Sequence, residues 1–485
     1  MSNENKTDLL IVGCGVAGLS AAVTALEKGL SVTVLERSGE ADFGGNSRWT
    51  EAYMRMKNDS EISDDFEDHF AENIGWNIEP TVLGALSDAY HDWPPTVRAH
   101  SLPDPEVIST FADQVPPTIQ WLKGLGLRFE PQPIYLLTQN TTRIAAQGGG
   151  LGIITRLMEE AVKLGARVLY RTTAVGLVLD DAGQVSGIRT KGPDGRVEIL
   201  SAKNVVLASG GYQGNPEMMT HYIGEKARHI RPVAPGGHYN KGEGIRMALE
   251  IGAAPAGEFG SYHAEPIDPR SRQPEAVVFI YPYGILVNKN AKRFVDEAPG
   301  TTDAHYDNIT RSIADQPDGI SYVIFDAQVE DIPRWTTSIR SEVKPFEAET
   351  ITDLAAMIDL NPETLNETVE CFNAACPAGD DPFSPLQLDG RGVDLDPVKS
   401  NWCRPIVKAP FRALPVISSN CFTFGGLKVD PHARVIDQDG KIIPGLYAAG
   451  ETMGIYHRVY TGSTSVLRGL VFGRQAALHA ASATN

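Results

Sequence analysis

The segment "IYHRVYTGSTSV", residues 455–466, places imidazole, guanidinium and phenol groups directly before a run of small residues. Its reactive side chains are His457, Arg458, Tyr456 and Tyr460. Histidine and tyrosine can transfer protons, and a guanidinium can hold a carboxylate through two parallel hydrogen bonds. Small residues such as those of "TGSTS" let backbone approach a bound molecule closely. The segment therefore predicts reactive groups beside a bound ligand near the end of the chain.

A second ligand site is predicted near the start of the chain. Three glycines with G-x-G-x-x-G spacing stand between an apolar strand, "LLIVG", and a predicted helix, and the next strand, "VTVLE", ends on an acidic residue. Glycines permit a tight turn, the helix N-terminus attracts a pyrophosphate, and the carboxylate can accept a ribose hydroxyl. The predicted dinucleotide site comprises Gly13, Gly15, Ala17, Gly18, Glu36 and Arg37.

Two further segments favour a flavin over a nicotinamide, because a flavin needs additional contacts for its ribitol and ring. The Gly-Gly turn of "FGGNSRWT" suits a pyrophosphate or the ring, and "GLYAAGE" ends in a carboxylate that can bind ribitol. Backbone N–H groups of "TGSTSV" open the last predicted helix, where they can face the electron-rich pyrimidine edge. The residues of these contacts are Gly45, Asn46, Ser47, Gly450, Glu451, Gly462, Ser463, Ser465 and Val466.

Composition narrows the functional classes. The chain has 485 residues, 42% of them apolar, and a formal net charge of −18, which disfavours binding to nucleic acid or anionic membrane. Its first residues are polar, and no apolar run reaches the roughly 18 residues of a membrane span, so we expect a cytoplasmic protein. The five cysteines are scattered without metal-ligand spacing, and no metal site is predicted.

The elements that must position these residues alternate between strand and helix up to about residue 258, as in an α/β fold. Beyond it, "YGILVNKNAKRFVDE" predicts a hairpin that turns at 288–291, and two amphipathic helices follow. Residues 377–400 are rich in Pro, Gly and Asp and predict a surface loop. Strand-like segments then return before the last helix.

The chain resembles the flavoproteins of the fumarate reductase/succinate dehydrogenase superfamily, and within it tricarballylate dehydrogenase-like enzymes. The resemblance rests on "GGNSR", "VVLASGGYQGNPE", "ILVNKNAKRFVDE", "FTFGGLKVD" and "YTGSTSVLRGLVFGR", among other stretches. It implies an α/β fold with a Rossmann-like FAD-binding domain, 1–258 and 413–485, and an inserted α+β capping domain, 259–412. It also adds Ala174 to the FAD contacts. Members with covalent FAD carry a His just after the Gly-Gly turn, and "NSRWT" has none, which implies noncovalent FAD.

The same resemblance supplies the candidate catalytic residues. His457 and Arg458 match the region where fumarate reductases bind a carboxylate, and His263 stands where the family often has a substrate-facing His. The proton-donating Arg of fumarate reductases is missing, because Thr301 occupies its place. Tyr306 is in register with a tyrosine of the tricarballylate dehydrogenase-like chains and becomes the candidate acid/base. Secondary candidates are His305 for proton transfer and Arg143 and Arg404 for positive charge.

These residues together predict an FAD-dependent oxidoreductase that makes or reduces a C=C bond next to a carboxylate of a small organic acid. Dehydrogenation is favoured because the fumarate reductase Arg is absent, and the electron acceptor is undefined. Two alternatives stay open: an enone or 3-ketosteroid-type desaturase, and a flavin subunit that passes electrons to a partner.

Overall fold

The computed structural model describes residues 6–74, 92–98, 102–131, 136–139, 141–377 and 383–484. Its strands are β1 Lys6–Val12, β2 Val32–Leu35, β3 Tyr53–Met54, β4 Phe129–Pro131, β5 Ile144–Ala146, β6 Arg167–Leu169, β7 Thr173–Leu179, β8 Val185–Lys191, β9 Val197–Leu207, β10 Arg231–Pro232, β11 Pro255–Ala256, β12 Tyr262–Ile267, β13 Ile285–Asn288, β14 Ile320–Asp326, β15 Phe346–Ala348, β16 Phe411–Thr423, β17 Gly426–Leu427, β18 Arg434–Ile436 and β19 Ile442–Ala448. Its α-helices are α1 Val16–Glu27, α2 Phe66–Ile74, α3 Pro95–Arg98, α4 Pro105–Gly124, α5 Gly149–Lys163, α6 Pro216–Ile223, α7 Glu243–Glu250, α8 Thr302–Ala314, α9 Ile351–Met357, α10 Pro362–Ala375 and α11 Ser465–Thr484.

A parallel sheet organises the nucleotide-binding part of the chain. Its strands lie in the order β6-β2-β1-β9-β19, with β1 parallel to both β2 and β9. The short apolar strands β1 and β2 are buried, as expected for a parallel sheet covered by helices on its faces. The order reverses direction at β1, so a crevice opens at the carboxyl ends of β1 and β9. The glycine motif follows β1 at this edge, as the sequence predicts.

The first and last helices pack against each other and bring the two ends of the chain together. The Ser20 hydroxyl in α1 donates a hydrogen bond to the Leu470 carbonyl in α11 at 3.1 Å. Leu467, Leu470 and Val471 of α11 are fully buried in the same core as the apolar residues of α1. The "TGSTS" segment therefore reaches the crevice although about 450 residues separate it from the glycine motif.

A second sheet carries the region that the resemblance assigns to the cap. Its central strand β16 pairs with β10, β12, β14 and β15, and β13 pairs with β14. Alternate residues of β14 enter different cores: Val323 and Phe325 face one apolar cluster, and Tyr322 and Ile324 face another beneath α9 and α10. The mixed strands and helices place the chain in the predicted α/β class with an additional α+β layer.

Most predicted elements of this region are present. The hairpin turns at Asn288–Ala291, where the Ala291 N–H bonds to the Asn288 carbonyl at 2.9 Å, although its second arm pairs only at Arg293. The described part of the 377–400 loop forms no helix, and pairing there is limited to one bridge between Val393 and Lys399. Strand β16 runs through the expected domain boundary at 412, so the division into domains stays a proposal. In the described part of the chain, no helix has the length and apolarity needed to cross a bilayer.

Candidate active site

One continuous cavity runs from the carboxyl end of β1 to the second sheet. It is lined by most residues of the predicted FAD site, together with His263 and Tyr306. The predicted cofactor residues that line it are Gly13, Gly15, Ala17, Glu36, Arg37, Gly45, Asn46, Ser47, Ala174, Gly450, Glu451, Ser463, Ser465 and Val466. Gly18 and Gly462 are not part of its wall.

The glycine motif has the backbone geometry that a pyrophosphate-binding turn requires. Gly13 has φ +109°, and a Cβ there would lie 2.4 Å from the Ala208 carbonyl oxygen. Gly18 cannot carry a side chain, because its Cβ would lie 1.9 Å from the Gly13 oxygen. The Val16 N–H at the start of α1 donates to the Ser47 hydroxyl at 3.1 Å. The Gly-Gly turn thus joins the helix N-terminus on one wall of the cavity.

Glu36 and Arg37 lie at the end of β2. The Glu36 carboxylate accepts hydrogen bonds from the N–H groups of Cys14 and Ser38, at 3.1 and 2.8 Å. Since a carboxylate has about four lone-pair positions, two remain for a ribose hydroxyl. Arg37 is already engaged, with the Tyr239 carbonyl at 2.9 Å and in an ion pair with Glu243.

Asn46 hydrogen-bonds to the second sheet through its amide nitrogen, and its amide oxygen has no partner. Its amide nitrogen donates to the Cys421 carbonyl at 2.6 Å, while its Oδ1 is buried without a hydrogen-bond partner. The Ser209 hydroxyl, also on the cavity wall, is buried and unpartnered in the same way. Unpaired buried polar atoms are costly, so these two positions are suited to a polar ligand.

Glu451 stands at the far end of β19 within a network of donors. Its carboxylate accepts from the Thr423 N–H at 2.8 Å, Asn240 Nδ2 at 3.1 Å and Gln213 Nε2 at 3.3 Å. Burial raises the pKa of Glu451 above its usual range, and the Thr423 N–H opposes that shift. The carboxylate is fixed at the cavity wall, where the sequence predicts a ribitol contact.

The backbone of the "TGSTS" segment hydrogen-bonds to the side chain of Tyr460, a contact that the sequence did not predict. The N–H groups of Thr464 and Ser465 both donate to the Tyr460 hydroxyl at 2.9 Å. Ser463 has φ +64°, and its carbonyl accepts from the Arg55 N–H at 2.9 Å. The first donors of α11 therefore face the Tyr460 phenol, and their predicted contact with a flavin stays a prediction.

His263 and Tyr306 form a hydrogen-bonded pair at the opposite side of the cavity. His263 Nε2 lies 2.7 Å from the Tyr306 hydroxyl, and Nδ1 is buried without a partner. Burial, with a smaller effect of Arg311, lowers the pKa of His263 to about 3. His263 is therefore neutral at ordinary pH and hydrogen-bonds to the phenol through Nε2. The ring of Tyr460 stands 4.4 Å from that of His263.

A carboxylate on the helix α8 holds this pair in place. Asp307 Oδ1 accepts from the Ala264 N–H at 2.7 Å and so ties α8 to β12. His263 precedes Ala264, and Tyr306 precedes Asp307, so the same bond brings the two side chains together. Arg311 pairs with the Asp307 carboxylate at 3.1 Å from the next turn of the helix.

His457 and Arg458 lie outside the cavity wall, unlike the sequence-based expectation. His457 is buried with both ring nitrogens unpartnered, and burial lowers its pKa to about 4. Arg458 has φ +50° and an exposed side chain. Its N–H bonds to Glu258 and its carbonyl to Arg311, which turn the guanidinium towards solvent. A substrate contact by either residue stays a prediction that needs another conformation of this segment.

The secondary candidates divide in the same way. Arg143 lines the cavity, is buried, and pairs with Asp303 at 3.2 Å, while its Nε has no hydrogen-bond partner. Arg404 pairs with Asp331 and stacks on Phe383, away from the cavity. Thr301 directly precedes α8, and its hydroxyl donates to the Asp303 carboxylate at 2.8 Å rather than accepting from the helix backbone. His305 packs against Gly300 and does not line the cavity.

Several residues of the cavity wall escaped the sequence analysis. Arg468 is 1% exposed, packs 4.6 Å above the Tyr456 ring, and has no salt-bridge partner among the described residues. Glu265 and Glu275 are buried acids on the second sheet and its neighbouring loop. The strand alternation of "YHAEPI" places His263 and Glu265 on one face, and this was the signal that could have found Glu265.

These walls fit FAD, because one cavity is lined by a glycine turn at a helix N-terminus and by two carboxylates at strand ends, those of Glu36 and Glu451. Two buried polar atoms without partners, Asn46 Oδ1 and the Ser209 hydroxyl, lie on the same wall. A protein-family model described as "FAD binding domain" matches residues 8–467. The chain belongs to the FAD-binding domain family. Its glycine turn and Glu36 would hold the adenosine and pyrophosphate, and Glu451 the ribitol.

Curated relatives of this FAD-binding protein are oxidoreductases. The vinyl phenol reductase of Lactiplantibacillus plantarum is 28% identical over 100% of this chain and 98% of its own length. The urocanate reductase of Eggerthella lenta is 29% identical over 98% of this chain and 74% of its own length. The NADH:acrylate oxidoreductase of Vibrio harveyi is 28% identical over 97% of this chain, which spans only 50% of that relative.

A flavocytochrome c3 fumarate reductase in its open conformation has the same fold. The TM-score is 0.71 at 24% identity, over 99% of this chain and 78% of that one. The predicted fold is therefore confirmed, and none of the three curated relatives is named as a tricarballylate dehydrogenase. The chain is an FAD-dependent oxidoreductase.

Proposed function

We propose that this FAD-dependent oxidoreductase reduces a C=C bond conjugated to the carboxylate of a small organic acid. The observation that carries the proposal is the His263–Tyr306 pair, 2.7 Å apart in the same cavity as the FAD-binding elements. A group that can transfer a proton thus faces the space beside the cofactor. Bound FAD supplies the two electrons, transferred as a hydride, and the protein must supply the proton.

Tyr306 is the proposed proton donor. A neutral His263 that carries its proton on Nε2 donates a hydrogen bond to the Tyr306 oxygen, which leaves the phenol proton free to reach a substrate carbon. The same Nε2–H group then hydrogen-bonds to the phenolate oxygen and stabilises its charge until water restores the phenol proton. General acids of this kind are typically worth about 10²–10⁴ in rate.

Arg143 is the proposed partner of the substrate carboxylate. It lies on the cavity wall and adjoins the "TGSTS" segment, since a Cβ at Gly462 would lie 3.3 Å from its Nη2. Its buried Nε lacks a hydrogen-bond partner, although Asp303 neutralises part of its charge. Arg458 remains a second proposed partner only if the 457–460 segment turns inward.

In this proposal the enzyme works in the reductive direction. The sequence favoured dehydrogenation because Thr301 replaces an arginine donor, but Tyr306 can take over proton donation from the same helix. Relatives with reductase names, among them the vinyl phenol and urocanate reductases, support the reductive direction. The noncovalent attachment of FAD is part of the same proposal.

The test is anaerobic reoxidation of the chemically reduced enzyme by a panel of unsaturated compounds. Acrylate, fumarate, cinnamate and 4-vinylphenol are mixed with reduced protein, and flavin absorbance is followed. The saturated products are then offered to oxidised enzyme with an artificial acceptor. Rapid reoxidation by an unsaturated acid supports the proposal, and faster oxidation of the saturated acids would reverse its direction. Failure of every compound would leave an electron-transfer subunit as the better description.

A second candidate, an enone-type reductase or desaturase, is favoured by the phenols of the cavity. Tyr306 and Tyr460 both line it, and a phenol can hydrogen-bond to a ketone oxygen. Cyclohexenone and a 3-ketosteroid in the same panel distinguish this candidate from a reductase of unsaturated acids, because only an enone-type enzyme should be reoxidised faster by them.

A further inference from the structure

Carboxyl groups outnumber cations at the substrate end of the cavity. Glu51, Glu265 and Glu275 line the wall near His263 and Tyr306. Arg340 contacts Glu51 at 2.7 Å and Glu275 at 3.3 Å, so one guanidinium serves two carboxylates. Glu265 has no salt bridge among the described residues. This wall therefore carries more acid than the surrounding protein neutralises.

Glu265 and Glu275 are both withdrawn from water. They are 8% and 9% exposed, and burial raises the pKa of Glu265 to about 7. Burial and the proximity of Glu265 raise the pKa of Glu275 well above its usual range. Two buried carboxyls that disfavour each other's charge are stabilised by a ligand that donates hydrogen bonds or carries positive charge.

An unpartnered ring nitrogen points to a ligand at the same place. His263 is 6% exposed, lines the cavity, and has its Nδ1 buried without a hydrogen-bond partner. A ring nitrogen of His263, a carboxylate oxygen of Glu265 and Sγ of Cys421 all lie within 4.8 Å of one another. Glu265 and Cys421 hydrogen-bond to each other, so His263 Nδ1 is the atom of this group that is left without a partner beside them.

Apolar side chains complete the wall between these groups. Leu136, Val233 and Phe279 are buried and line the cavity. They would pack on the carbon body of a substrate and keep water from the carboxyls. Arg143 lies at the "TGSTS" segment, whereas Glu265 and Glu275 belong to the second sheet and its neighbouring loop.

We propose that Glu265 and Glu275 form a subsite for a hydrogen-bond donor, such as a protonated nitrogen, at the end of the substrate opposite its carboxylate. The substrate class is then an unsaturated acid with a donor at its far end, rather than a dicarboxylate. This inference rests on the proposed function, because it assumes that the cavity receives an unsaturated acid.

Two series of acids that differ only in the far-end group test this subsite. The short series is 4-aminobut-2-enoate, pent-2-enoate and glutaconate; the longer series is 4-aminomethyl-, 4-ethyl- and 4-carboxymethylcinnamate. Binding to the oxidised FAD-loaded protein is measured from the perturbation of flavin absorbance. Within the series that binds, we expect the ammonium compound to bind about 10- to 100-fold more tightly than its methyl analogue, and the carboxylate most weakly.

Glu265→Gln should reduce the ammonium preference to about threefold or less without weakening the methyl analogue. Glu347→Gln is the matched control, since Glu347 lies on the same sheet, pairs with Arg412 and does not line the cavity. If Glu265→Gln loses FAD, Glu275→Gln provides the same comparison.

The outcomes separate this inference from the proposed function. Equal or tighter binding of the dicarboxylate, or an unchanged preference in both glutamine variants, overturns the donor subsite while leaving the reductase proposal intact. If no acid of either series binds or reoxidises the reduced flavin, the proposed function itself fails.

Discussion

Tyr306→Phe is the substitution that tests the proposed chemistry most directly. It removes the hydroxyl that lies 2.7 Å from His263 Nε2 and keeps the ring, which stands 5.4 Å from the Phe279 ring. Loss of a general acid slows the chemical step by about 10²–10⁴, equivalent to about 2.7–5.4 kcal/mol of barrier. The substitution also leaves a second nitrogen of His263 unpaired, which costs about 1–3 kcal/mol of folding free energy.

The assay is anaerobic stopped-flow reoxidation of the reduced variant by the best substrate of the panel. The rate should fall by the amount stated, while the affinity for FAD, measured by titration of the apoprotein, stays within about threefold because Tyr306 adjoins none of the glycine or carboxylate elements. A solvent deuterium effect on the wild-type rate should accompany proton transfer from the phenol.

Tyr281→Phe is the matched control for this experiment. Tyr281 is buried in the same apolar cluster, its hydroxyl has no hydrogen-bond partner in the described part of the chain, and it does not line the cavity. Tyr281→Phe therefore removes a buried phenol hydroxyl, as Tyr306→Phe does, without changing the cavity wall. If Tyr306→Phe reoxidises as fast as Tyr281→Phe, Tyr306 is not the proton donor and the argument from the His263–Tyr306 pair is wrong.

Other predictions concern the cofactor and the buried ionisable groups. Acid or heat should release free FAD, because no His follows the Gly-Gly turn; flavin that stays on the denatured chain would contradict this. Glu36→Ala should weaken FAD binding by about 1.5–3 kcal/mol in apoprotein titrations. Arg468 is a buried cation on the cavity wall and can stabilise the negative charge of reduced FAD, so Arg468→Met should lower the reduction potential of bound FAD, by about 30 mV for each 1.4 kcal/mol of lost stabilisation; an unchanged potential would contradict this role. His263, with its pKa lowered to about 3, takes up protons mainly in the unfolded state between pH 6.5 and 3. Wild-type stability should therefore fall as pH decreases from 6.5, by up to about 1.4 kcal/mol per unit more than that of His263→Gln, as measured by urea unfolding.

The FAD-binding half of the site was predictable because its determinants are local. Gly13 and Gly18 are fixed by a turn and by helix–strand contact within one βα unit, and Glu36 follows from the length of the next strand. These constraints appear as spacing in the sequence. The positions that complete the site from afar, such as Glu451, were predicted from the strand that ends on them.

The substrate half was less predictable because it depends on contacts between distant segments. His263 and Tyr306 meet through the bond from the Ala264 N–H to the Asp307 carboxylate, which no spacing reveals. Arg458 carries the expected charge in the expected segment, but a positive φ and two bonds to neighbouring residues direct its side chain outward. Sequence identifies the chemistry a segment carries; backbone conformation decides whether that chemistry faces the ligand.

The charges on the cavity wall restrict the choice of substrate more than the glycine motif does. An acid-rich chain of net charge −18 needs a local cation to hold an anionic substrate, and the arginines on the cavity wall differ in their availability. Arg37 pairs with Glu243, whereas Arg143 pairs with Asp303 but keeps a buried Nε without a hydrogen-bond partner, so Arg143 can still hold one carboxylate. A dicarboxylate would need two unpaired cations at the substrate end, and Glu265 and Glu275 stand there instead. The balance of charge therefore favours a substrate with a single carboxylate and a donor at its other end.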